Sequence, residues 1–298
     1  MSEKQNTLNS SISLSGVGLH TGATVDIVIE PAEDNFGYKF QRTDIDGNPI
    51  IPADVDLVVE TKRGTTLEKN GVRVATTEHL LAALYGSEVD NALIKINGPE
   101  VPIMDGSSKL FVEEIEKVGL KKQIKDREYI VLKKNLSYSD PNTDSEILYV
   151  PNDDFRLTVI VDYNSDVLGM QHAEMATLKE FKEEISSCKT FVFLSELEGL
   201  AKAGLIKGGD IDNAIVMVDK KDVKKEELKK TEEFGSEILK ACVKMGGALT
   251  GEHGVGIEKR ELMCEAFNDD DIQQQLDIKK SLDTKNLLNP GKVYPILR

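Results

Sequence analysis

The sequence predicts an α+β fold: two similar domains, each a β-sheet layered with helices, followed by a short α+β tail. Three observations point there. Strand-like alternation and helix-like apolar spacing interleave from Ser11 to Val218. The pattern Val89-Asp90-Asn91-Ala92-Leu93-Ile94 returns 122 positions later as Ile211-Asp212-Asn213-Ala214-Ile215-Val216, each copy following a helical segment and entering a strand-like one. After Val218 the composition shifts to a charged run, Asp219 to Lys230, before a new apolar periodicity begins.

The elements follow in order. Ser11 to Glu30 reads as strands around a tight turn, Gly16-Val17-Gly18-Leu19-His20-Thr21-Gly22, and Asp26–Glu30 alternates as a strand with one solvated face should. Asp46-Gly47 and Asn70-Gly71 are hairpin-turn signals between apolar runs. Thr76-Thr77-Glu78-His79 opens a helix capped by a threonine, with Leu80, Leu81, Leu84 and Tyr85 as its apolar face and Gly86 as its stop. Ala92–Ile96 is a strand, and Phe111, Ile115 and Val118 mark a second helix. Lys121 to Arg127 reads as a polar hinge. Beyond it come strands at Tyr129–Leu132 and Leu157–Val161, a helix near Leu178–Ser186 and a helical stretch around Phe191–Ala203. The tail carries an amphipathic helix with Phe234, Ile238, Cys242 and Met245 on one stripe, a Gly-rich loop at Gly251–Gly256 and a last helix near Asp271–Leu282.

Composition narrows the function classes. Of 298 residues 40% are hydrophobic, too many for a disordered chain, and only 5% are aromatic, too few for a base-stacking surface. A net charge of −15 repels phosphate backbones, so no nucleic-acid partner is expected. Met1 to Ser15 lacks the pattern of a signal peptide, and no apolar run reaches the roughly 18–20 residues of a membrane span. Three scattered cysteines, Cys188, Cys242 and Cys264, suit neither a disulfide framework nor a four-cysteine metal site, and a cytoplasmic setting is expected.

Glu78-His79 at a helix start is the strongest chemical constellation. Neighbouring helical side chains diverge by about 100°, so both can face one cleft. A neutral imidazole can hold zinc while the adjacent carboxylate takes a proton from the metal-bound water. The same pair also reads as a first-turn glutamate favouring the helix dipole beside a packed histidine.

The surrounding motifs carry a resemblance. Gly16–Gly22, Thr77-Glu78-His79-Leu80-Leu81-Ala82-Ala83-Leu84, Asp90-Asn91-Ala92 and Gly98-Pro99-Glu100-Val101-Pro102-Ile103-Met104-Asp105-Gly106-Ser107 occur in this order. Lys189-Thr190-Phe191 and Gly208–Ala214 continue it. Over about residues 8–220 the chain resembles the UDP-3-O-acyl-N-acetylglucosamine deacetylases, zinc amidohydrolases of lipid A biosynthesis. The resemblance implies two similar domains (about 1–125 and 126–220, the second incomplete), with His79 on zinc and Glu78 as general base. It further implies Thr190 near the reacting amide, Phe191 beside the acyl chain, and a nucleotide-sugar lipid precursor as substrate. It leaves His20 and Asp105 near the site in roles that structure alone would also explain.

The family completes its zinc site with a His and an Asp four residues apart. Here His20, His79, His172 and His253 are followed at +4 by Thr24, Ala83, Ala176 and Ile257, so His79 stands alone of that set. Past a charged junction at 221–231, residues 232–298 resemble the C-terminus of FAD-linked oxidases of the glycolate oxidase and D-lactate dehydrogenase type, through Gly246–Arg260 and Asn289–Pro295. That resemblance implies Glu252, His253 and Asn289 as remnants of a flavin site, and FAD as cofactor only if the tail sets the function. A fused gene is the simplest account. The expected activity is deacetylation; the alternatives are a chimeric remnant that binds acyl chain or nucleotide sugar without turnover, and a fragment of a 2-hydroxy-acid oxidoreductase. Oligomeric state is left open.

Overall fold

The computed structural model describes residues 3–165, 168–210, 212–218, 225–244, 255, 259–285, 287 and 292–294, without the side chains of 198, 225–229, 231–233, 235 and 261. The chain divides into two compact units, Met1–Asp222 and Val223–Arg298.

The first unit opens with β1 (Lys4–Leu8), β2 (Ile12–Val17), β3 (Thr24–Pro31), β4 (Tyr38–Arg42) and β5 (Ile50–Pro52). Next come β6 (Val58–Glu60), β7 (Thr66–Lys69), β8 (Val72–Val74), α1 (Glu78–Gly86), β9 (Ala92–Ile96), α2 (Lys109–Val118) and β10 (Leu120–Asp126). Five of these strands form one sheet in the order β2-β3-β9-β4-β5, with β4 parallel to β9 and the other neighbours antiparallel. Alternation places Val25, Ile27 and Ile29 of β3 on the buried face, where α1 and α2 cover them with Leu80, Leu84, Phe111 and Ile115. Burial of Phe111, Val112 and Ile115 from α2 alone contributes about 5–9 kcal/mol before the cost of ordering the chain. Asn70 and Gly71 both take positive φ, 53° and 80°, in the two-residue turn joining β7 to β8.

Two local expectations give way here, and a third holds for a reason the sequence does not show. The Lys121–Arg127 segment is mostly β10, which pairs antiparallel with β1. Its lysine-rich face is solvated, the mark of an edge strand, and gives no alternation to read. Thr77 is the N-cap of α1, but its hydroxyl donates to the Thr65 carbonyl (3.1 Å) and leaves its own helix uncapped by a side chain. Gly86 closes α1 for a packing reason: a Cβ there would lie 2.1 Å from the Phe181 ring.

The remainder of this unit holds β11 (Leu136–Asp140) paired with β12 (Ser145–Tyr149), and β13 (Leu157–Asp162) paired with β14 (Met170–Met175). Then come α3 (Leu178–Glu180), continuing into a π-helical turn at Phe181–Ile185, and β15 (Phe191–Phe193), α4 (Leu194–Lys202) and β16 (Ile215–Met217). Phe191–Phe193 is therefore strand, not helix. Its aromatic and β-branched residues favour extended backbone, and it runs parallel to β16 with α4 as the crossover. Both copies of the Asp-Asn-Ala repeat sit where the chain enters a strand, β9 or β16. Tyr129–Leu132 forms no strand; Ile130 is 95% exposed, and β-propensity without a partner strand does not make a sheet.

The second unit contains α5 (Lys225–Lys244), α6 (Met263–Ala266) and α7 (Asp269–Leu282), whose N-cap Asn268 accepts a hydrogen bond from the Asp271 N–H. Its core is Leu262, Met263 and Ile272, against which Leu239 and Val243 of α5 pack. The buried stripe of α5 is thus one residue round from Phe234 and Ile238, which are exposed.

Candidate active site

Glu78 is the first residue of α1, and its placement depends on the segment Lys62–Thr65 lying along that helix end. The Thr65 N–H donates to Glu78 Oε2 at 2.8 Å, and Thr65 also accepts from the Thr77 N–H at 3.2 Å. Gly64 lies against the same carboxylate, its Cβ position being at contact distance, 3.4 Å, from Glu78 Oε1. The half-buried carboxylate thus keeps one oxygen free of backbone donors. Its position at the helix start also suits the positive end of the helix dipole.

His79 follows on the same turn, half-buried. Burial pushes its imidazole below the ordinary histidine value, against the opposing pull of the Glu78 and Asp105 carboxylates. The ring is therefore neutral near pH 7, the form that binds metals or accepts protons. Ser108 Oγ donates to the His79 carbonyl at 2.9 Å, tying this turn of α1 to the start of α2.

Asp105 lies in a tight turn in which its Oδ1 accepts from the Ser107 N–H (3.2 Å) and Ser107 Oγ (2.8 Å). The next residue, Gly106, has φ +82°, and a Cβ there would sit 1.9 Å from the Asn213 carbonyl oxygen. Its own carbonyl accepts the Thr190 N–H at 2.8 Å. One glycine thus joins the turn beside His79 to the segments that enter β15 and β16. Phe191, 38% exposed, stacks edge-on against Tyr163 and Phe193 at centroid distances of 5.3 and 5.8 Å.

Two further ties were not legible in the sequence. Arg63, held at φ +61°, reaches α4 through an ion pair with Glu196 at 3.2 Å. Glu100 is fully buried and accepts four hydrogen bonds, from the N–H groups of His20 and Thr21 and the hydroxyls of Thr21 and Thr76. A carboxylate inside the apolar run Pro99–Ile103 was the available signal. A groove of about 560 Å³ is lined by Gly16, Val17, Asp105, Lys207, Asp210 and Asn213. None of Glu78, His79, Thr190 and Phe191 lines it.

The zinc implied by the resemblance can be tested against these donors. Among the described residues no three His, Cys, Asp or Glu side chains gather to hold a metal ion. A catalytic zinc takes three protein ligands and one open position. His20 joins no such group: its Nε2 lies 3.3 Å from the Arg63 carbonyl, and its buried Nδ1 has no hydrogen-bond partner among the described residues. His172 is on exposed β14. The described residues therefore do not fit a tightly held catalytic zinc. Glu252, His253 and Asn289 lie outside the described residues.

Comparison with known proteins gives the lineage. Residues 5–236 match the UDP-3-O-acyl N-acetylglycosamine deacetylase family, and residues 209–293 match the C-terminal domain of FAD linked oxidases. A bifunctional enzyme LpxC/FabZ of Bacteroides thetaiotaomicron is 49% identical over 218 residues, 73% of this chain and 47% of that protein. One from Chlorobaculum tepidum is 49% identical over 217 residues, 72% of this chain and 46% of that protein. The chain spans about half the length of these curated relatives. A UDP-3-O-acyl-N-acetylglucosamine deacetylase of Geotalea uraniireducens is 39% identical over 254 residues, 85% of this chain and 81% of that protein. With the Gly-rich turn, the Glu78-His79 helix start and the Asp105 turn in one unit and most of the chain matched, this protein belongs to the UDP-3-O-acyl N-acetylglycosamine deacetylase family.

Proposed function

We propose that this protein binds a UDP-N-acetylglucosamine carrying a 3-O-acyl chain and directs Glu78 at its acetamide as general base for deacetylation. The observation that carries the reading is the Glu78–His79 pair itself: a half-buried carboxylate with one oxygen anchored by Thr65 and the other available, beside an imidazole that burial keeps neutral. Hydrolysis of an amide needs a proton acceptor for the attacking water, and a positioned carboxylate is suited to that task. His79 would face the same water or the amide oxygen. Thr190, fixed by its N–H on Gly106, would hydrogen-bond near the acetamide, and the exposed ring of Phe191 would offer apolar surface to the acyl chain. Family members use zinc for this chemistry. The described donors do not complete a site for it, and His79 is the residue that would contribute to one.

A second reading, binding without turnover, is favoured by the same shortfall of donors. The match to FAD linked oxidases over 209–293 overlaps the deacetylase match, consistent with a fusion in which the second deacetylase domain is cut short. We read the tail as a remnant that holds no flavin. One experiment separates the readings. The purified full chain is given UDP-3-O-acyl-N-acetylglucosamine, and acetate release, bound substrate and zinc content are measured together. Acetate release abolished by Glu78→Gln supports the deacetylase. Binding without acetate supports the remnant, and neither binding nor release sinks both.

A further inference from the structure

We infer that Glu100 is the positioning residue of the Glu78–His79 site, through a junction of three chain segments that meet at its carboxylate. This rests on the reading of that pair as the reactive one. The backbone of Glu100 is clamped first: Ala75 N–H donates to the Pro99 carbonyl (2.9 Å) and Val101 N–H donates to the Ala75 carbonyl (3.0 Å). Its side chain then points inward and is fully buried. Oε1 accepts from the His20 N–H (2.9 Å) and Thr76 Oγ1 (2.9 Å); Oε2 accepts from the Thr21 N–H (2.9 Å) and Thr21 Oγ1 (2.7 Å).

None of these four donors is cationic, so the carboxylate is held by oriented N–H and O–H dipoles rather than by an ion pair. A buried charge is costly unless its hydrogen bonds are complete, so the four donors and the carboxylate fix one another's positions. Packing leaves no slack: a Cβ on Gly18 would lie 2.5 Å from Glu100 Oε2.

The consequence reaches the site through Thr76. This β-branched residue sits at φ +55°, a left-handed conformation such residues rarely adopt, two positions before Glu78. Strained backbone persists where the surroundings over-determine it. Here the Glu100 bond to the Thr76 hydroxyl and the Ala75 ladder bonds supply that constraint, and they set the angle at which α1 begins. On the other side Glu100 holds the turn that carries His20, and the same strand-like segment runs on to Ile103, whose N–H donates to the Val17 carbonyl at 3.0 Å, and to Asp105. One carboxylate therefore locks the Gly-rich turn, the entry to α1 and the approach to Asp105 in register. Glu100 touches neither Glu78 nor the reacting groups, so its role is positional.

The test uses the full chain with Glu100→Gln and, separately, Thr76→Val, which removes one of the four bonds while keeping the side-chain shape. There are four histidines, so the ring Cε1–H signals form a sparse NMR spectrum. In Glu100→Gln the His20 and His79 signals are expected to move while that of His172, on exposed β14, stays in place. Thr76→Val should move His79 in the same direction by less. Wherever acetate release is measurable, Glu100→Gln should lower kcat roughly tenfold to a hundredfold with KM nearly unchanged, as a displaced base requires. A folded Glu100→Gln protein whose His79 signal overlays the native one overturns the inference. If that variant does not fold, an unmoved His79 signal in Thr76→Val overturns it instead. Absence of deacetylation by the native chain would defeat the proposed function and leave the ring signals to decide the role of Glu100.

Discussion

Gly18 shows how much of this site is decided one residue at a time. Its missing side chain is the space taken by Thr21 Oγ1 and Glu100 Oε2, which an added Cβ would approach to 2.4 and 2.5 Å. Gly18→Ala should therefore destabilise the protein by about 1–3 kcal/mol through overpacking, read as a lower urea midpoint with an unchanged slope. Glu78→Gln works the other way round. The amide oxygen can still accept the Thr65 N–H, so the melting temperature should hold. Any acetate release should fall by about 10²–10⁴, the typical contribution of a general base. Equal activity in Glu78→Gln would remove that residue from the chemistry. The Glu78-His79 pair was legible because two reactive side chains adjoin in sequence at a helix start. Glu100 was not, because its donors come from residues 24 to 80 positions away, and only the folded chain brings them together.

Among elements, those with local signals could be read and those with distant partners could not. The hairpin at Asn70-Gly71 and the helices α1 and α2 carry turn residues or apolar periodicity within their own length. The strand β10 does not: its pairing partner β1 begins at Lys4, and its lysines mask any alternation. The strand β15 was hidden in another way, since its three residues run directly into α4 and take their identity from pairing with β16. That βαβ unit is held to the sheet-and-helix core through the Gly106 turn. Gly106→Ala combines a disfavoured φ of +82° with a Cβ 1.9 Å from the Asn213 oxygen. The expected result is local: amide exchange accelerates at Thr190, Asn213 and Ile215 while β3 and β9 keep their protection. Uniform acceleration across both regions would mean that the contact supports the whole unit. The Arg63–Glu196 ion pair, more than a third exposed on both sides, should by contrast contribute little, at most about 1 kcal/mol, and weaken with salt.

Across the whole molecule, apolar burial is uneven, and that predicts how the protein behaves in solution. The large core cluster belongs to the five-stranded sheet with α1 and α2, joined by Met175 and Phe181. The hairpins β11–β12 and β13–β14 contribute almost nothing to it and expose Tyr138, Leu148, Ile160 and Met170. An isolated two-stranded hairpin is marginal in water, and exposed apolar strands with unpaired edges invite association. What opposes association is charge: −15 at neutral pH, with an isoelectric point near 4.9. As pH falls from 7 toward 5, carboxylates gain protons, the mutual repulsion fades and the apolar faces are free to meet. Sedimentation velocity should show mass increasing with concentration at pH 5 and much less at pH 7. Added salt at pH 7 should push in the same direction as acid, because it screens the same repulsion. Replacing Leu148 and Ile160 by lysine interrupts the apolar surface and should suppress the larger species at both pH values. If the double variant associates as strongly as the parent, the hairpins are not the contact surface, and the uneven core does not govern assembly.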